Sequence, residues 1–198
     1  VVDSATRQRI LAAALDCFLE NGVHRTTVDL VRKRAAVSNG SFFHHFRSKQ
    51  DLAEAVYLHG LEQHQAELLA TLTPRLSLEA GITSAVRRHL EWVEAHPRLA
   101  AFLLGPPDWA APTDSPRIAA CSRAFFQAVA DWLRARGWSG TPTLGVVVAV
   151  WIGPAQEYTR RWLLGEIEPP TSAAPALARA AWNALEPVLA STPTPEDT

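Results

Sequence analysis

A chain of 198 residues, 47% hydrophobic and 20% charged, has the length and composition of an ordinary soluble globular protein with one well-buried core, or a small module beside a larger one. Its two cysteines, Cys17 and Cys121, lie far apart without CxxC spacing. They read as reduced thiols, not as a disulfide framework or a metal site. The net charge of −1 conceals an asymmetry: residues 1–50 carry 8 Lys+Arg against 4 Asp+Glu, whereas the remainder is acidic. A basic block on an acidic body is the pattern of a nucleic-acid-binding module joined to a different domain.

The longest strongly apolar run, Leu144 to Gly153, is far shorter than the roughly 20 residues of a membrane helix. No basic stretch followed by an apolar one opens the chain, so a cytoplasmic location without membrane contact is expected. Methionine is absent even from position 1, and the sequence is expected to begin within a longer natural N-terminus.

Taken in chain order, the sequence reads as helix throughout, because no segment alternates with the period of a half-buried strand. From Ser4 to Asn21, Ile10, Ala14 and Phe18, with Leu11 and Leu15 beside them, form one helical stripe that Asn21-Gly22 stops. Thr26 or Thr27 then caps a short helix over residues 28–35, and Ser38 caps a third through Asn39 to Phe46. Ser48-Lys49-Gln50-Asp51 places an acid three residues after a serine and opens a long helix to about Leu72. Further helices are expected over about 76–95, 97–104, 117–136, 143–164 and 172–190, with a loop over 105–116 and a disordered tail from Ser191. The expected class is all-α with about nine helices, divided into a module over 1–48, a larger domain over 49–190 and the tail 191–198.

The stretch Ala35-Ala36-Val37-Ser38-Asn39-Gly40-Ser41-Phe42-Phe43-His44-His45-Phe46-Arg47-Ser48-Lys49-Gln50-Asp51-Leu52 resembles the signature of TetR/AcrR transcriptional regulators. Phe18-Leu19-Glu20-Asn21-Gly22 and Thr26-Thr27-Val28 sit where that family has related phrases. The strong resemblance runs from about Arg7 to Ala55. It implies a helix-turn-helix domain followed by a helical domain for effector binding and dimerisation. It also implies DNA contacts for Thr27, Ser38, Asn39, Ser41, His44 and Lys49.

The chemistry agrees. Small polar residues at a recognition-helix N-terminus let the backbone approach base edges, and Ser38, Asn39, Gly40 and Ser41 meet that demand. Arg25, Arg47 and Lys49 flank them to hold phosphates, with Phe43 also on this surface. Phe42 and Phe46, one turn apart, should face inward. Three departures stand out: Ala36 for the usual turn glycine, Phe43 for tyrosine and Arg32 for a small residue. Ala36 should strain the turn if φ there is positive.

Adjacent His44 and His45 point about 100° apart on a helix and cannot share a metal, while His89 and His96, two turns apart, are too distant for one ion. Seven tryptophans all follow residue 90. Trp92, Phe102, Phe125 and Trp151 are candidate lining residues of an effector pocket suited to a hydrophobic or aromatic molecule. Stripes at Val147, Trp151 and Ala155 and at Ala181, Trp182 and Leu185 are candidate dimer contacts, implied by the family's four-helix interface, with Ala176, Ala180 and Ala184 permitting close helix approach.

No phosphate-binding glycine loop, HExxH, G-x-S-x-G or Cys/His metal spacing occurs, so no enzyme, metal or cofactor is expected. The expected function is a regulator, most simply a repressor, binding a palindromic double-stranded operator as a homodimer and released by a small-molecule effector. The alternative is a ligand-binding or enzymatic helical protein that has lost operator binding.

Overall fold

A computed structural model describes residues 2–104 and 115–189, and these are helical with no strand. Among the described residues the helices are α1 (Val2–Arg25), α2 (Val28–Ala35), α3 (Asn39–His45), α4 (Lys49–Thr71), α5 (Leu78–Ala95), α6 (Pro97–Leu104), α7 (Pro116–Arg134), α8 (Leu144–Leu163) and α9 (Pro170–Leu189). Helices α6, α7 and α9 each begin on a proline, whose missing N–H and fixed φ suit the first helical position. Most of the expected loop, with Trp109, and the tail from Ser191 lie outside the described residues. The packing forms two compact units, residues 1–63 with 96–122, and residues 64–95 with 123–198. The first therefore takes in more chain than the 1–48 module outlined by its motifs.

In the first unit the α1 stripe of Ile10, Ala14, Cys17 and Phe18 is sealed from solvent by Val31, Phe42, Phe46, Leu52 and Phe102. Phe102 is why α6 belongs here: its ring stacks on Phe18 at 5.8 Å and 15°. Arg98 adds an ion pair to Asp16 at 2.5 Å. Gly22, at φ 76° and ψ 155°, breaks the helical path where a stop was expected, but a further turn follows to Arg25. Buried Thr26 shares its one hydroxyl proton between the carbonyls of Cys17 at 3.0 Å and Gly22 at 2.9 Å, tying the chain across the break. Thr27, not Thr26, is the α2 cap.

Between α2 and α3, Ala36 adopts the left-handed conformation at φ 52°, ψ 50°. Its N–H donates to the Lys33 carbonyl at 3.2 Å, and that of Val37 to Arg32 at 3.1 Å. The turn thus demands the conformation that alanine resists and glycine accepts. Ala36→Gly is expected to stabilise the protein by about 0.5–1 kcal/mol, the strain relieved exceeding the entropy added to the unfolded chain, as read from urea midpoints.

In the second unit α5, α8 and α9 pack around Ile82, Val86, Leu90, Val147, Trp151, Ala178 and Leu185, with Val129 and Leu133 from α7. The close approach of α5 to α7 is made at Gly81, where an added Cβ would stand 2.2 Å from Trp132 Cζ2. Trp132 is fixed by Nε1 donating to the Thr73 carbonyl at 3.2 Å and by the Arg136 guanidinium 4.0 Å over its ring.

The residues expected at a dimer face lie in or against this core. Val147, Trp151, Ala155, Ala181 and Leu185 are buried within the single chain, and half-buried Trp182 packs against the same cluster. The stripes are the inner faces of α8 and α9, since a helix must first bury its apolar side against its own neighbours.

Candidate nucleic-acid interface

The local sequence explains why α2 and α3 form and stay in register. Thr27 Oγ1 accepts from Leu30 N at 3.2 Å, and Ser38 Oγ accepts from Ser41 N at 3.1 Å, so each short helix has a side-chain cap. Phe42 and Phe46 are buried with rings 6.1 Å apart, holding the inner side of α3 against the first unit's core. Arg7 covers the Phe46 ring at 5.5 Å.

The outer surface is what remains. Arg25, Thr27, Ser38, Asn39, Gly40, Phe43, His44 and Arg47 are exposed, and Ser41 and Lys49 half-buried. All ten expected contact residues thus reach the surface of one unit. Phe43 is 49% exposed, a large apolar group left in solvent. A Cβ built on Gly40 meets nothing within 4 Å, so the fold gives no reason for a glycine inside this helix.

Cations here fall into two groups. Asp29 pairs with Arg32 at 2.5 Å and Lys33 at 2.7 Å, and Glu20 pairs with Arg34 at 2.7 Å. Hydrogen bonds from Lys33 and then Arg32 hold the Asp29 carboxyl below its ordinary range, and one from Arg34 does the same for Glu20. Arg32 also donates to the Val37 carbonyl at 3.3 Å, so it braces the turn instead of loosening it.

By contrast, Arg25 donates to the Asn21 carbonyl at 2.8 Å and Lys49 to the His24 carbonyl at 2.7 Å, and neither pairs with a carboxylate among the described residues. Ser48 caps α4 as its sequence implied. Its Oγ accepts from Asp51 N at 3.0 Å while the Asp51 carboxylate accepts from Arg47 N at 3.0 Å.

The four residues expected to line an effector pocket do not share a unit. Phe102 packs in the first unit's core, whereas Trp92, Phe125 and Trp151 belong to the second. Trp151 is a core residue whose Nε1 donates to the Ile82 carbonyl at 3.0 Å.

Trp92 has a polar neighbour that sequence reasoning missed: the His64 ring lies 4.8 Å from it, and His64 Nε2 is 2.8 Å from His89 Nδ1. Burial lowers the His64 pKa to about 4 and, together with the neighbouring His64, that of His89 to about 3, so both rings are neutral near pH 7. His64 and His89 come from helices 25 residues apart in sequence, and no spacing rule announces such a pair. No cluster of three or more metal-binding side chains occurs among the described residues, and no helix among them is long and apolar enough to cross a membrane.

Residues 10–56 match the family model of bacterial regulatory proteins of the tetR family. The chain is 36% identical over 90 residues to the HTH-type transcriptional regulator SrpR of Pseudomonas putida, a match covering 46% of this chain and 40% of SrpR. It is 30% identical over 108 residues to the HTH-type transcriptional repressor Rv1474c of Mycobacterium tuberculosis, covering 54% and 55%. The match thus spans about half or less of these relatives' own length. Among solved structures, a TetR family transcription regulator from Marinobacter aquaeolei VT8 superposes with a TM-score of 0.74 over 92% of this chain and 96% of that one, at 18% identity, a likeness of fold. The capped pair α2–α3 falls within residues 10–56, the segment that carries the likeness to the tetR family of bacterial regulatory proteins.

Proposed function

We propose that the protein is an effector-responsive transcriptional repressor that binds a palindromic operator as a homodimer. The observation that carries this reading is the outer surface of α3. It presents small polar groups at a capped helix N-terminus, beside three cations without carboxylate partners among the described residues. Asn39, Gly40 and Ser41 are placed to meet base edges, with Arg25, Thr27, Arg47 and Lys49 on phosphates and Ser38, Phe43 and His44 at the margin. The alternative of a degenerate helix-turn-helix finds no support in Arg32 or Ala36. One braces the turn and the other adopts the conformation that the turn needs.

Selection of duplexes from a random library, followed by anisotropy at near-physiological salt, tests the reading. An enriched palindrome bound far more tightly than random DNA is expected, and weak salt-sensitive binding without enrichment would reject it. Gly40→Ala sharpens the test. It should raise stability by about 0.5–1 kcal/mol, as alanine does inside a helix. Operator affinity should nevertheless fall by roughly tenfold or more, because the methyl group intrudes where base edges approach.

For dimerisation we infer the outward faces of α8 and α9. Val146, 50% exposed, and Ala149 on α8, with Ala176, Ala180 and Ala184 on α9, leave apolar surface in solvent. Ala180→Arg should convert a dimer to a monomer in sedimentation experiments and weaken operator binding by about a hundredfold or more, since paired half-sites roughly 34–36 Å apart require two linked recognition helices. Effector binding in the second unit would reach the DNA surface through α4, whose residues are shared between the units. The coupling must then be reciprocal, operator DNA weakening effector binding by the same factor.

A further inference from the structure

Two buried polar atoms of the second unit have no hydrogen-bond partner among the described residues: His89 Nε2 and Thr159 Oγ1. His89 is 1% exposed and Thr159 0%. Such groups are rare in folded proteins because each forfeits its hydration without replacement.

Their places in the fold are related. The Trp151 indole bonds to the Ile82 carbonyl, setting α8 against α5 at that level. Glu94, near the end of α5, accepts from Thr171 N at 3.0 Å and Oγ1 at 2.7 Å at the start of α9, just beyond the connection that leaves α8. Helices α5 and α8 therefore run the same way. Thr159 lies eight residues past Trp151, and Leu90 lies eight past Ile82, about 12 Å along each axis. Thr159, on the same buried face as Trp151 and Ala155, therefore falls as far along α8 from Trp151 as Leu90, next to His89, falls along α5 from Ile82.

We propose that His89 and Thr159 are paired anchors for the polar group of a buried effector, an uncharged, largely aromatic molecule bearing one hydroxyl. His64 already occupies His89 Nδ1, which leaves Nε2 with a single role, donor or acceptor, fixed by the tautomer. A threonine hydroxyl can both donate and accept. A ligand hydroxyl matches that set, giving its proton to one anchor and receiving one from the other. A charged group does not match, since the buried polar residues described in this unit are Gln65, His89 and Thr159, none of which carries a charge to offset it. Trp92, adjoining His64, and Trp151 supply aromatic surface in the same unit.

The inference rests on the reading that the second unit receives an effector, but it is tested without DNA, so absence of operator binding would not decide it. Phenol and 2-naphthol are titrated into the full chain beside benzene and naphthalene, with tryptophan fluorescence and thermal shift as readouts. Each hydroxyl compound is expected to bind saturably and at least about tenfold more tightly than its hydrocarbon, the worth of one recovered hydrogen bond. Thr159→Val should erase that preference while raising the melting temperature of the free protein, because an unpaired buried hydroxyl is removed. His89→Leu should erase the preference likewise. Absence of saturable binding by both hydroxyl compounds, equal affinity for hydroxyl and hydrocarbon, or a lower melting temperature in unliganded Thr159→Val would each overturn the proposal. The last result would mean that the hydroxyl is already satisfied.

Discussion

Gly81→Ala is expected to be more damaging than an added methyl group at any other glycine among the described residues. The new Cβ would stand 2.2 Å from Cζ2 and 2.4 Å from Cη2 of Trp132, distances that real atoms do not share. The indole has little freedom to retreat. Its N–H is bonded to the Thr73 carbonyl, the Arg136 guanidinium covers one face, and the Trp151 ring lies 6.2 Å away. Either α5 must move off α7 or the tryptophan must leave its rotamer. Overpacking of this kind costs about 1–3 kcal/mol and sometimes more, a large part of a typical domain's stability. Urea denaturation would show it, and Trp132→Phe in the same chain should recover part of the loss. Additive effects of the two changes would show that the clash is not the cause.

The second large effect is set by protons. His64 and His89 titrate near 6.5 when exposed but are lowered by burial to about 4 and about 3 in the folded protein. As pH falls below 6.5 the unfolded chain takes up protons that the folded chain refuses, so the unfolded state gains. Stability is therefore full above pH 6.5 and declines from there toward pH 4, with a slope approaching about 1.4 kcal/mol per pH unit for each such histidine. The lowered carboxyls of Glu20, Asp29 and Glu94 act in a separate, more acidic window, because their contribution is lost only as pH falls below about 4.5. Urea midpoints at pH 7.5 and 5.0 should differ markedly in the parent chain and about half as much in His89→Phe, where His64 alone remains. Equal pH dependence in both would show that the pair is not the source.

How far the sequence revealed these features depends on range. Thr27, Ser38 and Ser48 cap the helices they precede, and the bonds that make a cap lie within three residues of it. Ala36 could be recognised as strained from the geometry of a tight turn alone. The stripes on α8 and α9 were equally visible, yet their meaning was not. A periodic pattern says that one face is covered but not by what, and Val147 and Leu185 are covered by their own chain. The packing of Phe102 was hidden for the same reason, since nothing near residue 102 signals that its ring stacks on residue 18. The His64–His89 pair is a product of tertiary packing, without a local signature.

The membership of α6 in the first unit bears on how such a protein can be rebuilt by recombination. Gly60 accepts Leu99 and Leu103 so closely that a Cβ there would lie 3.2 and 3.3 Å from their methyl groups, and Phe102 closes the Phe18 face. The unit that carries α2 and α3 is therefore not a cartridge detachable at residue 48. A chimera that exchanges only the first 48 residues pairs a new α1 with an old α6, and the seam runs through hydrocarbon. Exchanging specificity would require carrying both pieces of chain together, or choosing donors whose Phe18 and Phe102 counterparts already fit one another.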